Sequence, residues 1–362
     1  MTDLPVKMRG VWLIGHGDMD KLDIRQDILV PIPGPRDVLI RVTAAGVNNT
    51  DINTRKGWYA PTIQGATEDA TVIKNDEQGA WSGGLSFPRI QGADVVGRIA
   101  AVGDQVSVER IGERVIVEPV VRNPQAPDDR ESIEYLGSER DGGFAEYVAI
   151  PAVNAFPVHS GLSDAELATF PCSYSTAEHM LPRIRIAHQD TLLITGASGG
   201  VGSALVQLAK RRGATVVAVT SAAKKSAVAA LGADMVIDRR DDLAIALHQV
   251  LPEGRIDAVA DVVGGNGFPH LIEALRPGGR YVTSGAIAGP IVSLDLRQLY
   301  LKDLEFQGAT VLPPGLFSHL VGYIEQGEIR PLLAGEFPLT AIREAQEAFM
   351  AKNHIGNFVL RP

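Results

Sequence analysis

The sequence predicts a doubly wound α/β parallel sheet set inside a mainly-β unit, and three observations carry that prediction. A glycine-rich turn at 196–202 joins an apolar strand directly to a helix. Beyond about residue 161 helical and strand patterns alternate, whereas residues 6 to about 150 read as short strands broken by Gly, Pro and Asn. The last apolar run, 357–360, reads as one further strand that returns to the β unit. The expected division is 1–160, then an α/β domain over 161–311, then a returning segment over 312–362.

In the β unit, strands are expected at 37–43, 95–102 and 113–117. Two polar segments, 60–87 and 122–141, exceed the usual loop length. The first, with Trp58, Tyr59 and Trp81, reads equally as a lid or as a decorated surface loop. Ser163 and Glu166 form a capping box that starts the first helix of the next region. Val201, Leu205 and Leu208 follow the helical period, and Gly213 stops that helix. Strands follow at 215–220, 235–238, 257–263, 280–284 and 305–311, with a helix ending at Gly232 between the first two. Apolar strands separated by helices predict a parallel sheet buried on both faces. The tail holds two helices and the final strand.

A chain of 362 residues is long enough for two domains and a sizeable core. Its 34 Lys+Arg against 43 Asp+Glu leave a net charge of −9, which argues against nucleic acid or an anionic membrane as the main partner. One cysteine, Cys172, excludes an internal disulfide framework and a four-cysteine zinc site. The first residues lack the apolar core of a signal peptide, and no run of about 18 apolar residues follows, so the cytoplasm is the expected location. The eight histidines show no close metal-type spacing. No Gly-x-Ser-x-Gly elbow and no P-loop lysine is present, so hydrolase and kinase readings fail.

The glycine turn is the strongest functional signal. It lets backbone approach a pyrophosphate, and the helix that follows offers N–H groups and a positive dipole end. The reading is dinucleotide binding through Ala197, Ser198, Gly199, Gly200, Val201 and Gly202; a tight turn without a ligand is the alternative. Ligands of such sheets bind at the carboxyl ends of the strands, here Val263-Gly264, Ser284-Gly285-Ala286 and Thr310. An NAD site places an acid about 20 residues past the turn, but this chain has Thr220 and Ser221, followed by Lys224 and Lys225. A hydroxyl and lysines favour a 2′-phosphate, so NADPH is expected. Lys225 is a candidate phosphate contact, with Arg239 and Arg240 beyond the next strand. For each basic residue a solvated surface charge is the competing reading.

The stretches 45–51, 92–103, 142–147, 172–176 and 196–202 together resemble the medium-chain dehydrogenase/reductase superfamily over essentially the whole chain, and within it the zinc-free quinone oxidoreductases. The resemblance implies a GroES-like β domain interrupted by a Rossmann domain, with substrate held in the cleft between them. It also implies a homodimer and a nicotinamide-side contact from Thr176. Where zinc-dependent alcohol dehydrogenases of the family read Gly-Val-Cys-His-Thr-Asp, this chain reads Gly46-Val-Asn48-Asn49-Thr50-Asp51. Where they read Gly-His-Glu, it reads Gly92-Ala93-Asp94. Cys172 keeps the third ligand position, and Cys172 with Asp94 supplies two ligands at best where zinc needs three. No metal is therefore expected. By resemblance Asn357 is also placed among the cofactor residues, at a position where relatives often carry a contacting lysine.

Hydride transfer without zinc suits activated acceptors, namely quinones and alkenes conjugated to a carbonyl. By resemblance, Asn48 orients, Asp51 belongs to a polar network around nicotinamide or substrate, and Tyr59 donates a proton. Turn capping by Asn48 and Asp51 and aromatic packing by Tyr59 are the competing readings. Two alternatives stay open: an alcohol dehydrogenase holding zinc through unusual ligands, and a non-catalytic NADPH-binding protein.

Overall fold

The computed structural model describes residues 4–68, 84–127, 129–251 and 255–362; Trp81 and most of the segment 60–87 lie outside them. The chain divides into two compact units. One comprises Met1–Ile63, Ala70–Cys172 and Phe317–Pro362; the other comprises Ser173–Leu316 with the short stretch Gln64–Asp69.

The first unit is built on a seven-stranded sheet. Its strands run in the order Ala155–Pro157, Arg114–Val117, Asp94–Val102, Asp37–Gly46, Asn357–Arg361 and Leu333–Pro338, and Tyr147–Pro151 also pairs with Asp37–Gly46. The pairing is antiparallel except between the last two strands. A second sheet of Leu22–Leu29, Lys7–Leu13 and Arg89–Ile90 joins the same core through Leu13, Leu22, Ile40, Val95 and Phe144. The tail does return to this unit, with helices Leu316–Glu325 and Ile342–Met350, but it contributes two strands rather than one. Leu333–Pro338 alternates half-buried and exposed positions without an apolar run, so nothing in its composition announces a strand. The unit also extends past residue 160 to Cys172, because the helix Asp164–Leu167, opened by the Ser163–Glu166 capping box, packs on Asp37–Gly46 and Asp94–Val102.

The second unit is the doubly wound sheet. Its six parallel strands are β1 (Thr191–Ile194), β2 (Thr215–Thr220), β3 (Met235–Asp238), β4 (Ile256–Asp261), β5 (Leu275–Thr283) and β6 (Glu305–Gly308), in the spatial order β3-β2-β1-β4-β5-β6. The chain direction of assembly reverses between β1 and β4, the place where open parallel sheets take their ligands. Leu192, Leu193, Val216, Val217, Ala258 and Val259 are wholly buried, as expected for a sheet covered on both faces. Strand β4 ends at Asp261 rather than 263 and β6 at Gly308 rather than 311. Among the described residues no helix is long and apolar enough to cross a membrane.

Candidate functional site

In the first unit, the helix Asn49–Lys56 presents Asn48 at its N-cap and ends at Gly57, whose φ of +69° closes it. Arg55, fully buried, fastens this helix by donating to the Gln346 amide oxygen (2.9 Å) and the Gly17 carbonyl (2.7 Å). The helix start is thus rigidly held, and the groups around it form a buried polar cluster. The Asn48 amide Nδ2 donates to Asp94 Oδ2 (2.8 Å), and its Oδ1 accepts from Asn357 Nδ2 (3.2 Å). The Asn48 backbone N–H donates to Asp51 Oδ2 (2.8 Å), so Asp51 does act as a cap while also lying buried in the cluster. Asp94 Oδ1 accepts from the Cys172 backbone N–H (2.5 Å), and the Tyr135 hydroxyl bonds the Cys172 sulfur (3.2 Å). Gln91 donates to the Asp51 carbonyl (2.9 Å), and its own side-chain oxygen is buried without a partner.

No lysine, arginine or histidine among the described residues pairs with Asp51 or Asp94. Both carboxyls are pushed up to about 7, in each case by burial first, and for Asp51 by the Asp94 charge as well. Burial also raises the Cys172 thiol, with the Asp94 charge second, so the thiol keeps its proton. Tyr59 donates to Thr50 Oγ1 (3.2 Å) and stacks edge-on with Trp58 at 5.7 Å, so it packs as an aromatic and holds a polar contact at once. Burial keeps its hydroxyl protonated beyond the usual phenol range.

This donor set does not suit zinc. Of the ligand types zinc takes, Cys172 and Asp94 stand at the family's positions, and both Asp94 oxygens are already engaged by N–H donors. Among the described residues no group of three or more His, Cys, Asp or Glu side chains is placed to hold a metal.

In the second unit, the turn after β1 behaves as a phosphate cradle should. Gly196 adopts φ +58°, and the helix Gly200–Arg211 begins at once, with Gly199 as its N-cap. A Cβ on Gly202 would collide with the Gly196 carbonyl oxygen, so only glycine lets helix and turn approach this closely. Ala197 is buried, and its N–H is used by the Val219 carbonyl (3.1 Å), leaving the start of the helix, with exposed Gly199 and half-buried Gly200 and Val201, as the donor end. At the end of β2, Thr220 is buried with its hydroxyl unpartnered, and its carbonyl accepts from the Arg239 N–H (2.7 Å). Ser221 begins the short turn that carries Lys224. Burial first, and then the neighbouring Arg239 cation, hold the Lys224 ammonium below its usual pKa. Two cations near the end of β2 fit an anionic group. Lys225 interacts instead with the Asp238 charge, and Arg240 is spent on Asp238 (2.8 Å).

On the other side of the switch point, Val263 and Gly264 follow β4 and Ser284, Gly285 and Ala286 follow β5. The two loops are zipped by Ala288 N–H to Val263 O (2.9 Å) and Gly265 N–H to Gly289 O (3.1 Å). Ser284 donates to the Met180 sulfur (3.1 Å) from the loop side of the helix Pro171–Arg183, which also carries half-buried Thr176. Thr310 is exposed beyond β6. The structure therefore gathers the predicted dinucleotide residues into one unit, except Asn357, which it places against Asn48 in the first.

Sequence reasoning missed Tyr135 and Asp261. Tyr135 offers no signal, being an aromatic residue in a polar segment. Asp261 did offer one: a carboxylate closing the apolar run Asp257-Ala-Val-Ala-Asp261 is a charge where a buried strand should have none.

Two family models match, the alcohol dehydrogenase GroES-like domain over residues 34–160 and the zinc-binding dehydrogenase model over 200–325. The chain belongs to the medium-chain dehydrogenase/reductase superfamily. It is similar to the crystal structure of a protein assigned as an alcohol dehydrogenase from Sinorhizobium meliloti, at 47% identity and a TM-score of 0.91, covering 100% of this chain and 98% of that one. The NAD-dependent alcohol dehydrogenase of Saccharolobus solfataricus is 29% identical over 98% of this chain and 100% of its own. The acryloyl-coenzyme A reductase of Sulfurisphaera tokodaii is 27% identical over 93% of this chain and 96% of its own. Membership makes the chain an oxidoreductase. The match named for zinc binding covers neither Asn48, Ala93 and Asp94 nor Cys172.

Proposed function

We propose that this chain is an NADPH-dependent, zinc-independent reductase of quinones or α,β-unsaturated carbonyl compounds. The observation that carries the reading is the engagement of both Asp94 oxygens, by Asn48 Nδ2 and the Cys172 N–H, at the position where zinc-dependent relatives keep ligands. A nicotinamide dinucleotide, when bound, supplies the hydride that reaches the electrophilic carbon. The glycine turn and the first turn of the helix Gly200–Arg211 would hold its pyrophosphate, and Lys224 with Arg239 its 2′-phosphate. Asn48, fixed at both ends of its amide, and Asp51 keep the polar wall rigid. Tyr59, held protonated by burial, is the group we assign to deliver a proton to the enolate oxygen or carbon. Without zinc the carbonyl is polarised only by such donors, which is why conjugated acceptors and quinones suit this site better than plain ketones.

A homodimer along the free edge of β6 belongs to the same proposal. Leu296, Tyr300 and Leu301, on the helix just before that edge, are each more than 60% exposed. The expected sedimentation is that of twice the 38.6 kDa chain.

The test combines metal analysis with turnover of NADPH and NADH on a panel of quinones, enones and enoyl thioesters. Turnover with NADPH in protein free of stoichiometric zinc is the expected result. Zinc that leaves together with activity would mean the alcohol dehydrogenase alternative, and tight NADPH binding without turnover on the whole panel a non-catalytic protein. Lys224→Glu should raise the NADPH dissociation constant about tenfold or more and leave that of NADH nearly unchanged, whereas Lys225→Glu should do less.

A further inference from the structure

Asp261 is wholly buried at the carboxyl end of β4, and no cation among the described residues pairs with it. Such a carboxylate is tolerated only when donors surround it. Four do. Thr195, the residue after β1, donates its hydroxyl to Oδ1 (2.5 Å); Tyr281 of β5 donates its hydroxyl to Oδ2 (2.8 Å). The backbone N–H groups of Val263 (2.8 Å) and Gly264 (3.2 Å) complete the set. Thr195 Oγ1 accepts in turn from the Val262 N–H (3.1 Å). One side chain thereby ties together the ends of three adjacent strands, β1, β4 and β5, across the point where strand order reverses.

The same contacts fix the loop. Gly264 sits at φ +63°, and a Cβ there would press on Gly289 O (2.9 Å) and Ala286 Cβ (3.1 Å), so the loops after β4 and β5 must move together or not at all. In a sheet of this order the two halves of a dinucleotide lie on opposite sides of the reversal, with the adenosine half toward the end of β2 and the nicotinamide half over β4 and β5.

We infer that Asp261 is a positioning residue for the nicotinamide half of the cofactor, acting through the Val263–Gly264 backbone that its carboxylate holds. This rests on the dinucleotide reading given above. Replacing the carboxylate by an amide removes the charge and turns one acceptor into a donor facing other donors, which frees the loop from the strand ends. The adenosine half, bound at the far side of the reversal, does not depend on that loop.

The test measures NADPH and 2′,5′-ADP binding by calorimetry to the wild-type protein and to Asp261→Asn shown by circular dichroism to be folded. Asp261→Asn should weaken NADPH about tenfold to hundredfold and change 2′,5′-ADP by less than about twofold. Tyr281→Phe, which removes one donor and no charge, should shift NADPH in the same sense by about threefold; it carries the test if Asp261→Asn does not fold. Unchanged NADPH affinity, or equal weakening of both ligands, overturns the inference. A wild-type protein that binds neither NADPH nor NADH overturns it together with the functional reading. A wild-type preference for NADH overturns only the 2′-phosphate assignment, and NADH against 5′-AMP then judges Asp261 by the same criterion.

Discussion

Asp94 in the first unit and Asp261 in the second are both fully buried carboxylates with no ion-pair partner among the described residues, yet they are surrounded differently. Asp261 receives four donors, from two neighbouring strands and from the loop that follows its own. Asp94 receives two, one from an amide and one from a backbone N–H, and a second buried carboxyl, Asp51, lies close enough to feel its charge. A carboxylate saturated with donors works as a mechanical clamp. One with few donors and an acidic neighbour works as a place to keep a proton. Under the proposed function, the difference separates a unit that would grip the cofactor from a unit that would hold a proton.

The largest effect expected from this contrast is on stability. Asp261→Ala should cost about 4 kcal/mol of unfolding free energy, because four buried donors lose their acceptor; Asp94→Ala should cost about 2 kcal/mol. Urea denaturation measures both, and equal losses would erase the distinction. The next effect is on pH dependence. Asp51 and Asp94 are raised from 3.8 to about 7, so between those values the native cluster binds more protons than the unfolded chain. Their contribution is complete below the unfolded value and is lost as pH rises through about 7. Asp94→Asn should therefore flatten the decline in stability that the wild type shows from about pH 4 to 7, and the two curves should run parallel above about pH 8. Identical curves would mean that Asp94 is ionised throughout. The smallest effect belongs to Tyr135→Phe, which removes one neutral hydrogen bond to Cys172. Stability should change by less than about 1 kcal/mol, and alkylation of Cys172 in the native protein should stay slow, since burial and not Tyr135 keeps the thiol protonated. Fast alkylation would assign the protection to the hydroxyl.

Much of this was legible in the sequence, and for identifiable reasons. Strands β2 and β3 fell where the apolar runs placed them, because strands buried on both faces leave continuous apolar text. The glycine turn was legible because steric demand permits only glycine at Gly202. The departures from the zinc-dependent relatives' pattern were visible at Asn48 and Ala93. What could not be read was who meets whom over long sequence distances. Asn357 was expected beside the cofactor, and its 309-residue reach to Asn48 has no local trace. Leu333–Pro338 lacks an apolar run because it pairs at the margin of the sheet, and Tyr135 bonds Cys172 across 37 residues from a segment without pattern.

The polar cluster is assembled from residues 48–51, 91–94, 135, 172 and 357. On the ribosome, the Asn48 amide waits for a partner that is translated some three hundred residues later. Until the strand Asn357–Arg361 emerges and pairs beside Gly46, that amide is held from its Nδ2 side, by Asp94, without the contact to its oxygen. All six strands of the parallel sheet, from Thr191–Ile194 to Glu305–Gly308, are translated while the polar cluster still lacks Asn357. Synthesis itself then sets an order on the two units, with the parallel sheet complete in sequence before the polar cluster.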